Sequence, residues 1–477
     1  MKVIEIGGRS WQKFVGDEGQ DVYVALFLES EDKLLGKYVD ENSYDILIDR
    51  DADFYFPPER DMFGGALNNE EHIGSLDESR VAFKFRKNVF TKEEQIGAFE
   101  GLYDAAVESN NRGLAAGPRS DDGAGKRDWV TPFQEDILSY YENHQPQSVM
   151  GCDAIQEIIE KHKNATQSTR GSVWLRAKVE GEFGDYKGFF PQVMEMLEKM
   201  EVSEAAKYAK TLRTDYVSAT SYAQPLWSGI AGFYGRYPRI PYGRATAYVD
   251  HNREKFEKCY PFARKLDSEF SRLLPERYAK QKAFSDRLDD KFLIGEDTSF
   301  TTITVNTTSK DRNARMACHR DAGSLNEGFS NLTVVTKDDK DWEGGYLVAP
   351  EARVAIDVRP GDLLLIDNMR VIHGNTPIKP PSSGEDDMLR MSLVFYFRED
   401  MDNLGSWDYE NLRRQFVDDR RKNEDHELWK PFWNGVSPSM WSTQEWYDYL
   451  ESHGGKDMVQ EYHPEAYSTK STLEGFF

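Results

Sequence analysis

The stretch Ala314–Asp321, ARMACHRD, is the second of eight short β-like segments and ends on a histidine and a carboxylate two positions apart. The others are SFTTITVN (299–306), NLTVVTK (331–337), GYLVAP (345–350), RVAIDV (353–358), DLLLID (362–367), RVIHG (370–374) and LRMSLVFYF (389–397). Turns containing Gly, Pro, Asn or Asp separate most of them, the pattern of an antiparallel sandwich or jelly roll. Side chains i and i+2 of a strand face the same way. His319 and Asp321 therefore share a face, while Cys318 and Arg320 point elsewhere.

An imidazole and a carboxylate on one face can hold one edge of a metal. RVIHG, five segments further along, supplies His373, again at a strand end beside a Gly. Two histidines and one carboxylate on one face of an octahedron leave the remaining positions open, which is the facial triad of non-haem Fe(II) oxygenases. A single H-x-acid pair is a weak signal by itself. His463-Pro464-Glu465 has the same spacing, but no later His or Arg follows it, and it is read as no metal site. Arg390, in the segment after His373, shares a strand face with Ser392. A guanidinium pairs bidentately with a carboxylate, and a nearby hydroxyl adds a third bond. 2-Oxoglutarate needs such an anchor, with one end on iron and the distal carboxylate on Arg390 and Ser392. The bland reading of Arg390 is a solvated strand arginine. Arg398 also fits the register, but it stands at the far end of the strand beside Glu399 and Asp400.

The chain has 477 residues, 39% of them hydrophobic and 13% aromatic, enough for a large packed interior. No apolar run approaches the ~20 residues that span a bilayer. The start, MKVIEIGGRSW, lacks the apolar core of a signal peptide. Cys152, Cys259 and Cys318 are too far apart for a disulfide framework and fit a reducing compartment. A soluble intracellular protein is expected. Net charge is −23, and residues 1–80 hold 19 acids against 8 bases. That balance counts against generic nucleic-acid binding, which rests on Lys and Arg.

The expected fold class is α+β. A double-stranded β-helix (jelly-roll) core of about eight strands at 291–400 is buttressed by helices within 85–290. An acidic β-rich accessory module at 1–84 precedes this body, and a helical, Trp-rich extension at 401–477 follows it. Thr91 three residues before Glu94 is a capping box, and Ile96, Phe99, Leu102, Tyr103 and Val107 continue it at helical spacing. AIQEIIEKH (154–162) and PQVMEMLEKMEVSEAAKYAKTLR (191–213) read as further helices, and Gly117–Asp128 as a loop. A long helical stretch from His251 carries Pro261 as an interruption.

The phrases CHRDAGS, NLTVV, EGGYLVAPE, VRPGDLLLIDNMRVIHGN and LRMSLVFYF resemble the oxygenase domain of the TET/JBP family of Fe(II)/2-oxoglutarate dioxygenases. GFYGRYPRIPYGRATAY (232–248) and LLPERYAKQ (273–281) resemble that family's pre-barrel region, so the likeness covers roughly residues 85–400. The resemblance implies Fe(II) on His319, Asp321 and His373, with 2-oxoglutarate and O2 as co-substrates. It also implies hydroxylation of a 5-methylpyrimidine in DNA, with 5-methylcytosine first and thymine second. Such a base must be flipped out or single-stranded. Vertebrate members carry Cys-rich zinc modules, which three scattered cysteines exclude here.

Gly235–Ala247 holds Arg236, Arg239 and Arg244 with Tyr237 and Tyr242 among them and no acid, a pattern suited to phosphates and stacked bases. The structural alternative is a Pro-rich loop with solvated arginines. Arg112 and Arg119 form a weaker second candidate. Arg320, Asn313, Asn331, Asp357, Asp362 and Asp367 are read as ion-pairing, capping or turn residues. A protein side-chain hydroxylase would use the same triad and Arg390, and the net charge suits it better; this alternative stays open.

Overall fold

A computed structural model of the chain describes residues 2–6, 9–26, 28–29, 34–57, 76–109, 112–117, 226–236, 240–309, 312, 314–337, 342–379, 389–420, 422 and 443–468. It comprises two compact units. The first is Met1–Ala124, Ala219–Tyr234 and Arg244–Asp402, and the second is Gly125–Ser218, Gly235–Gly243 and Asn403–Phe477. Helices expected at 154–162 and 191–213, and all but the first residue of the loop Gly117–Asp128, lie outside the described residues.

The strands among the described residues, all in the first unit, are β1 (Lys2–Ile6), β2 (Arg9–Val15), β3 (Asp21–Ala25), β4 (Ile46–Ile48), β5 (Ala52–Tyr55), β6 (Val81–Arg86), β7 (Glu108–Ser109), β8 (Leu226–Tyr234) and β9 (Arg244–Ala245). They continue as β10 (Thr302–Ser309), β11 (Ser330–Thr336), β12 (Glu343–Gly344), β13 (Leu347–Ala349), β14 (Val354–Ile356), β15 (Leu363–Ile366), β16 (Gly374–Asn375), β17 (Ile378–Lys379) and β18 (Leu389–Tyr396). A large sheet runs β1-β2-β3-β5-β6-β15-β11-β18-β10-β8-β7, with β9 on β8. A smaller sheet runs β16-β13-β14-β4, and β12 pairs with β17. From β10 onward the chain passes back and forth between the two sheets, with β13 and β14 consecutive in the smaller one.

Two of the eight expected strands scarcely form. ARMACHRD contributes a single antiparallel bridge, His319 to His373, and RVIHG becomes regular only at Gly374. Their neighbours divide the pairing. Ala317 N–H donates to the Ala115 carbonyl at 3.0 Å and Cys318 N–H to that of Lys37 at 2.8 Å, so segments from the N-terminal region take bonds that a ladder would have used.

The N-terminal region 1–84, expected as a separate module, extends both sheets. β6 pairs with β15 in the large sheet and β4 runs parallel to β14 in the small one. Without β6, β15 would present an unpaired edge. The core is continuous across the expected boundary: Trp11, Phe54 and Phe83 share one apolar cluster with Val354, Ile356, Leu364 and Ile366.

Helix α1 (Lys92–Leu102) begins at the predicted capping box, with Thr91 and Glu94 bonding each other's backbone. It ends five residues before Val107. Ile96 and Val107 stay exposed because Gln95, Ala98, Phe99 and Leu102 form the buried face. Pro261 lies in the first turn of α2 (Tyr260–Leu273), so it starts this helix rather than interrupting one. A proline costs nothing there, since first-turn N–H groups have no partner inside the helix. Phe262 of α2 sits 6.1 Å from Phe395 of β18, ring centre to ring centre, so α2 buttresses the large sheet.

In the second unit, α3 (Trp407–Arg420) and α4 (Thr443–Tyr462) pack through Tyr409, Phe416, Trp446 and Leu450. His463 belongs to this core: its Nε2 meets the Tyr409 hydroxyl at 2.7 Å and the Trp446 indole N–H at 3.2 Å. No helix among the described residues is long and apolar enough to cross a membrane.

If the N-terminal strands share the core, Phe54→Ala will cost about 3–5 kcal/mol, the usual loss for a buried phenylalanine, read from the urea midpoint of full-length protein. A loss under about 1 kcal/mol, well short of that range, would show that these strands do not carry the body's stability.

Candidate metal centre

His319 and His373 face each other because their backbones exchange two hydrogen bonds, at 3.0 and 2.9 Å. Their rings stand 4.4 Å apart, centre to centre. Each Nδ1 meets the carbonyl two residues earlier, Ala317 at 2.7 Å and Val371 at 3.0 Å. A carbonyl only accepts, so in each neutral ring the proton sits on Nδ1 and Nε2 presents its lone pair. Asp321 is fixed by Asn368: its N–H donates to the Asn368 carbonyl at 2.9 Å, and the Asn368 amide donates to Oδ2. Oδ1 is left 3.2 Å from His319 Nε2.

One ligand atom from each of His319, Asp321 and His373 can be chosen so that all lie within 4.8 Å of one another. Two acceptor atoms as close as Asp321 Oδ1 and His319 Nε2 repel unless a cation stands between them, so this group fits a metal ion. A proton between Asp321 Oδ1 and His319 Nε2 can take the place of such a cation: burial pushes the Asp321 carboxyl up, but this hydrogen bond from a protonated His319 and the charges of His373, His319 and Arg112 outweigh it and hold it at about 2. Burial, with the neighbouring His319, lowers His373 to about 4 against the pull of Asp321. Both groups are thus in their metal-binding protonation states at neutral pH.

The same pocket is walled by Arg390, Ser392 and Val394 of β18, Thr304 and Asn306 of β10, and Leu332 of β11. β18 lies between β10 and β11, with Ser392 opposite Asn306 on one side and Val334 on the other. Arg390 is 8% exposed, and its Nε has no hydrogen-bond partner. Among the described residues no carboxylate pairs with this guanidinium. Burial and the nearby Arg359 lower it to about 10, so it remains charged at neutral pH. An unpaired buried cation is strongly unfavourable, and a ligand carboxylate would relieve it. Ser392 Oγ is 3.5 Å from the Asn306 amide, at the limit of a bond. These residues fit a dicarboxylate held between the metal and Arg390.

The other sequence candidates are placed as follows. Arg398 donates to Asp400 at 3.0 Å and is not in the pocket wall. Arg320 donates to the Arg370 carbonyl at 3.1 Å and lies 3.6 Å from buried Glu351. Asn331 is fully buried and bonds the Phe329 carbonyl. Asp357, Asp362 and Asp367 pair with Arg359, Lys87 and Arg277. Arg236 is taken by buried Glu410 inside the second unit, where Tyr242 is also buried, 3.4 Å from Asp418. Arg239, Tyr237, Asn313 and Arg119 lie outside the described residues. Arg244 lies over the Tyr234 ring at 4.9 Å. Arg112, a weaker candidate by sequence, lines the pocket. Asn368, five residues before His373, is missed by sequence reasoning, because no pattern around it marks a partner of Asp321.

Residues 236–399 match the Tet_JBP family model, described as the oxygenase domain of the 2OGFeDO superfamily. The chain is 32% identical over 200 residues to the bifunctional helicase and thymine dioxygenase JBP2 of Leishmania braziliensis, covering 41% of this chain and 16% of that protein. It is 27% identical over 211 residues to the thymine dioxygenase JBP1 of Crithidia fasciculata, covering 44% and 24%. The matches thus span less than a quarter of these relatives' length. A solved structure of NgTET1 in complex with 5mC DNA aligns at 14% identity over 39% of this chain and 69% of that one, with a TM-score of 0.30, too low to carry an argument. The metal group and Arg390 both fall within the matched residues. Residues 236–399, about a third of the chain, are therefore similar to the oxygenase domain of the 2OGFeDO superfamily, and the His319–Asp321–His373 group within them could hold a metal ion.

Proposed function

We propose that this chain is an Fe(II)- and 2-oxoglutarate-dependent dioxygenase that hydroxylates the 5-methyl group of a pyrimidine in DNA. The observation that carries the reading is one pocket containing both the His319–Asp321–His373 group and a buried guanidinium with no carboxylate partner among the described residues. A double-stranded β-helix is supported by β10, β11, β15 and β18 in the large sheet and β13, β14 and β16 in the smaller one, with the His319 segment bridged to His373.

In this reading His319 Nε2, His373 Nε2 and Asp321 Oδ1 hold the iron. Arg390 and Ser392 hold the distal carboxylate of 2-oxoglutarate. With O2, these groups supply oxidation of a methyl C–H bond: one oxygen atom goes to succinate as CO2 leaves, and the other to the methyl carbon. Asn368 occupies Oδ2 and so leaves Oδ1 as the Asp321 oxygen that would meet the ion. Leu332, Leu347, Val358 and Val394 line the pocket with apolar surface that limits water.

A 5-methyl group inside a duplex cannot reach this pocket, so the base is flipped or single-stranded. The sequence resemblance ranks 5-methylcytosine before thymine, whereas the names of the sequence relatives favour thymine. A protein side-chain hydroxylase is the second reading, favoured by the net charge of −23. The deciding assay supplies Fe(II), 2-oxoglutarate and DNA containing thymine alone or with 5-methylcytosine, and analyses the nucleosides by mass. A hydroxymethyl pyrimidine is expected. Succinate formed only on addition of a protein extract, with no altered base, would reject the DNA reading.

His319→Ala and Asp321→Ala should each lower turnover by more than about 100-fold, since even a ligand's hydrogen-bond partner can cost that much; near-normal turnover in either would remove the triad. Arg390→Ala should raise the 2-oxoglutarate KM by about 10- to 100-fold, the equivalent of roughly 1.5–3 kcal/mol for a charged hydrogen bond, with metal affinity held. An unchanged KM would place the anchor elsewhere. In metal-free protein the His373 ring should titrate near pH 4 by NMR. The unfolded chain takes up this proton near 6.5 while the folded chain resists it, so His373 makes stability fall with acid between about 6.5 and 4. A His373 midpoint at or above 6.5 would contradict the burial argument.

A further inference from the structure

Beside the pocket two arginines, Arg244 and Arg398, sit over one tyrosine, and a third, Arg112, stands in the pocket wall. Arg112 lines the pocket wall, and its charge reaches both Asp321 and Tyr234. It is half-buried, and no carboxylate among the described residues pairs with it. Tyr234 ends β8, directly across from Arg244 of β9. The guanidinium carbons of Arg244 and Arg398 lie 4.9 and 4.7 Å from the Tyr234 ring centre. Arg398 is tied to the metal loop: Ser324, three residues past Asp321, bridges to it, and Glu399 N–H donates to the Gly323 carbonyl at 3.0 Å. Asp400 is the acid seen here, 3.0 Å from Arg398 Nε. A continuous line thus runs from Asp321 through the 322–324 turn to Arg398, Tyr234 and Arg244.

This concentration of positive charge belongs to a chain whose net charge is −23. The distal carboxylate of 2-oxoglutarate already has Arg390 on β18. Guanidinium groups carry charge and donate to phosphate oxygens whatever the base sequence, so several of them close together suit an anionic backbone. Holding a base out of its stack also requires the flanking backbone to be gripped.

We propose that Arg112 in the pocket wall and Arg244, which shares the Tyr234 ring with Arg398, grip the phosphates flanking the nucleotide whose base enters the metal pocket. This rests on the DNA reading above and identifies the contacts that seat the substrate. The test uses the full chain loaded with Mn(II) and 2-oxoglutarate, and fluorescein-labelled duplex and single-stranded oligonucleotides containing a central 5-methylpyrimidine. Anisotropy gives affinity across a salt series, and calorimetry gives 2-oxoglutarate affinity. Arg112→Gln and Arg244→Gln should each weaken DNA binding and lower the log–log salt slope by about one. Arg112→Lys should restore the slope, and 2-oxoglutarate affinity should stay within about twofold. If Arg112→Gln does not fold, Arg112→Lys and Arg244→Gln carry the comparison. Wild-type salt slopes in the folded Gln variants would overturn the proposal. Loss of 2-oxoglutarate affinity in Arg112→Gln with the slope intact would reassign Arg112 to the co-substrate and also overturn it. Wild-type protein showing no salt-dependent DNA binding would overturn the DNA reading itself, and the proposal with it.

Discussion

The two hydrogen bonds exchanged by the backbones of His319 and His373 fix everything else in the site. Residues paired this way in an antiparallel ladder stand about 5.5 Å apart at their Cα atoms and project to the same side. Two imidazoles are thereby brought together from segments far apart in the chain, and each is then locked by the carbonyl two residues upstream. The pair is braced on both flanks. Gly36 N–H donates to the Cys318 carbonyl at 2.7 Å, and buried Glu351 accepts from Ile372 N–H at 2.9 Å. The placement of the two imidazoles is therefore set by backbone pairing, the kind of preorganisation that a ligand site requires.

Charge pairing in the interior shows why Arg390 stands out. Buried Arg86 meets Asp53 at 2.7 Å, Arg353 meets Asp45 at 2.8 Å, and Arg236 is held by Glu410. Each of these cations has a carboxylate from the chain itself. Arg390 has Trp342 beneath it at 5.9 Å and the open pocket before it. Arg390, without a carboxylate partner among the described residues, differs from these arginines in a way that fits an anion from outside.

Much of this is legible in the sequence because the signals are local. Thr91 and Glu94 are three residues apart and cap a helix whatever surrounds them. His319 and Asp321 are two apart on an extended segment, and Arg390 and Ser392 share a face of β18 for the same reason. What escapes depends on distant partners. Nothing in residues 46–48 or 81–86 announces that they pair with β14 and β15, which lie in the second half of the chain. The run Arg236–Arg244 reads as one cationic stripe, yet Glu410, 174 positions from Arg236, draws that residue into the second unit while Arg244 pairs across to Tyr234. Arg112 sits in an unremarkable loop, and only the folded chain carries it to the pocket wall.

The most direct test of the metal account is anomalous X-ray diffraction from crystals grown without oxygen in the presence of Fe(II) and 2-oxoglutarate. The account predicts one iron peak bonded to His319 Nε2, His373 Nε2 and a single Asp321 oxygen, with the far carboxylate of 2-oxoglutarate on Arg390. An iron peak away from these three residues, or a 2-oxoglutarate molecule that leaves Arg390 unpaired, would contradict it.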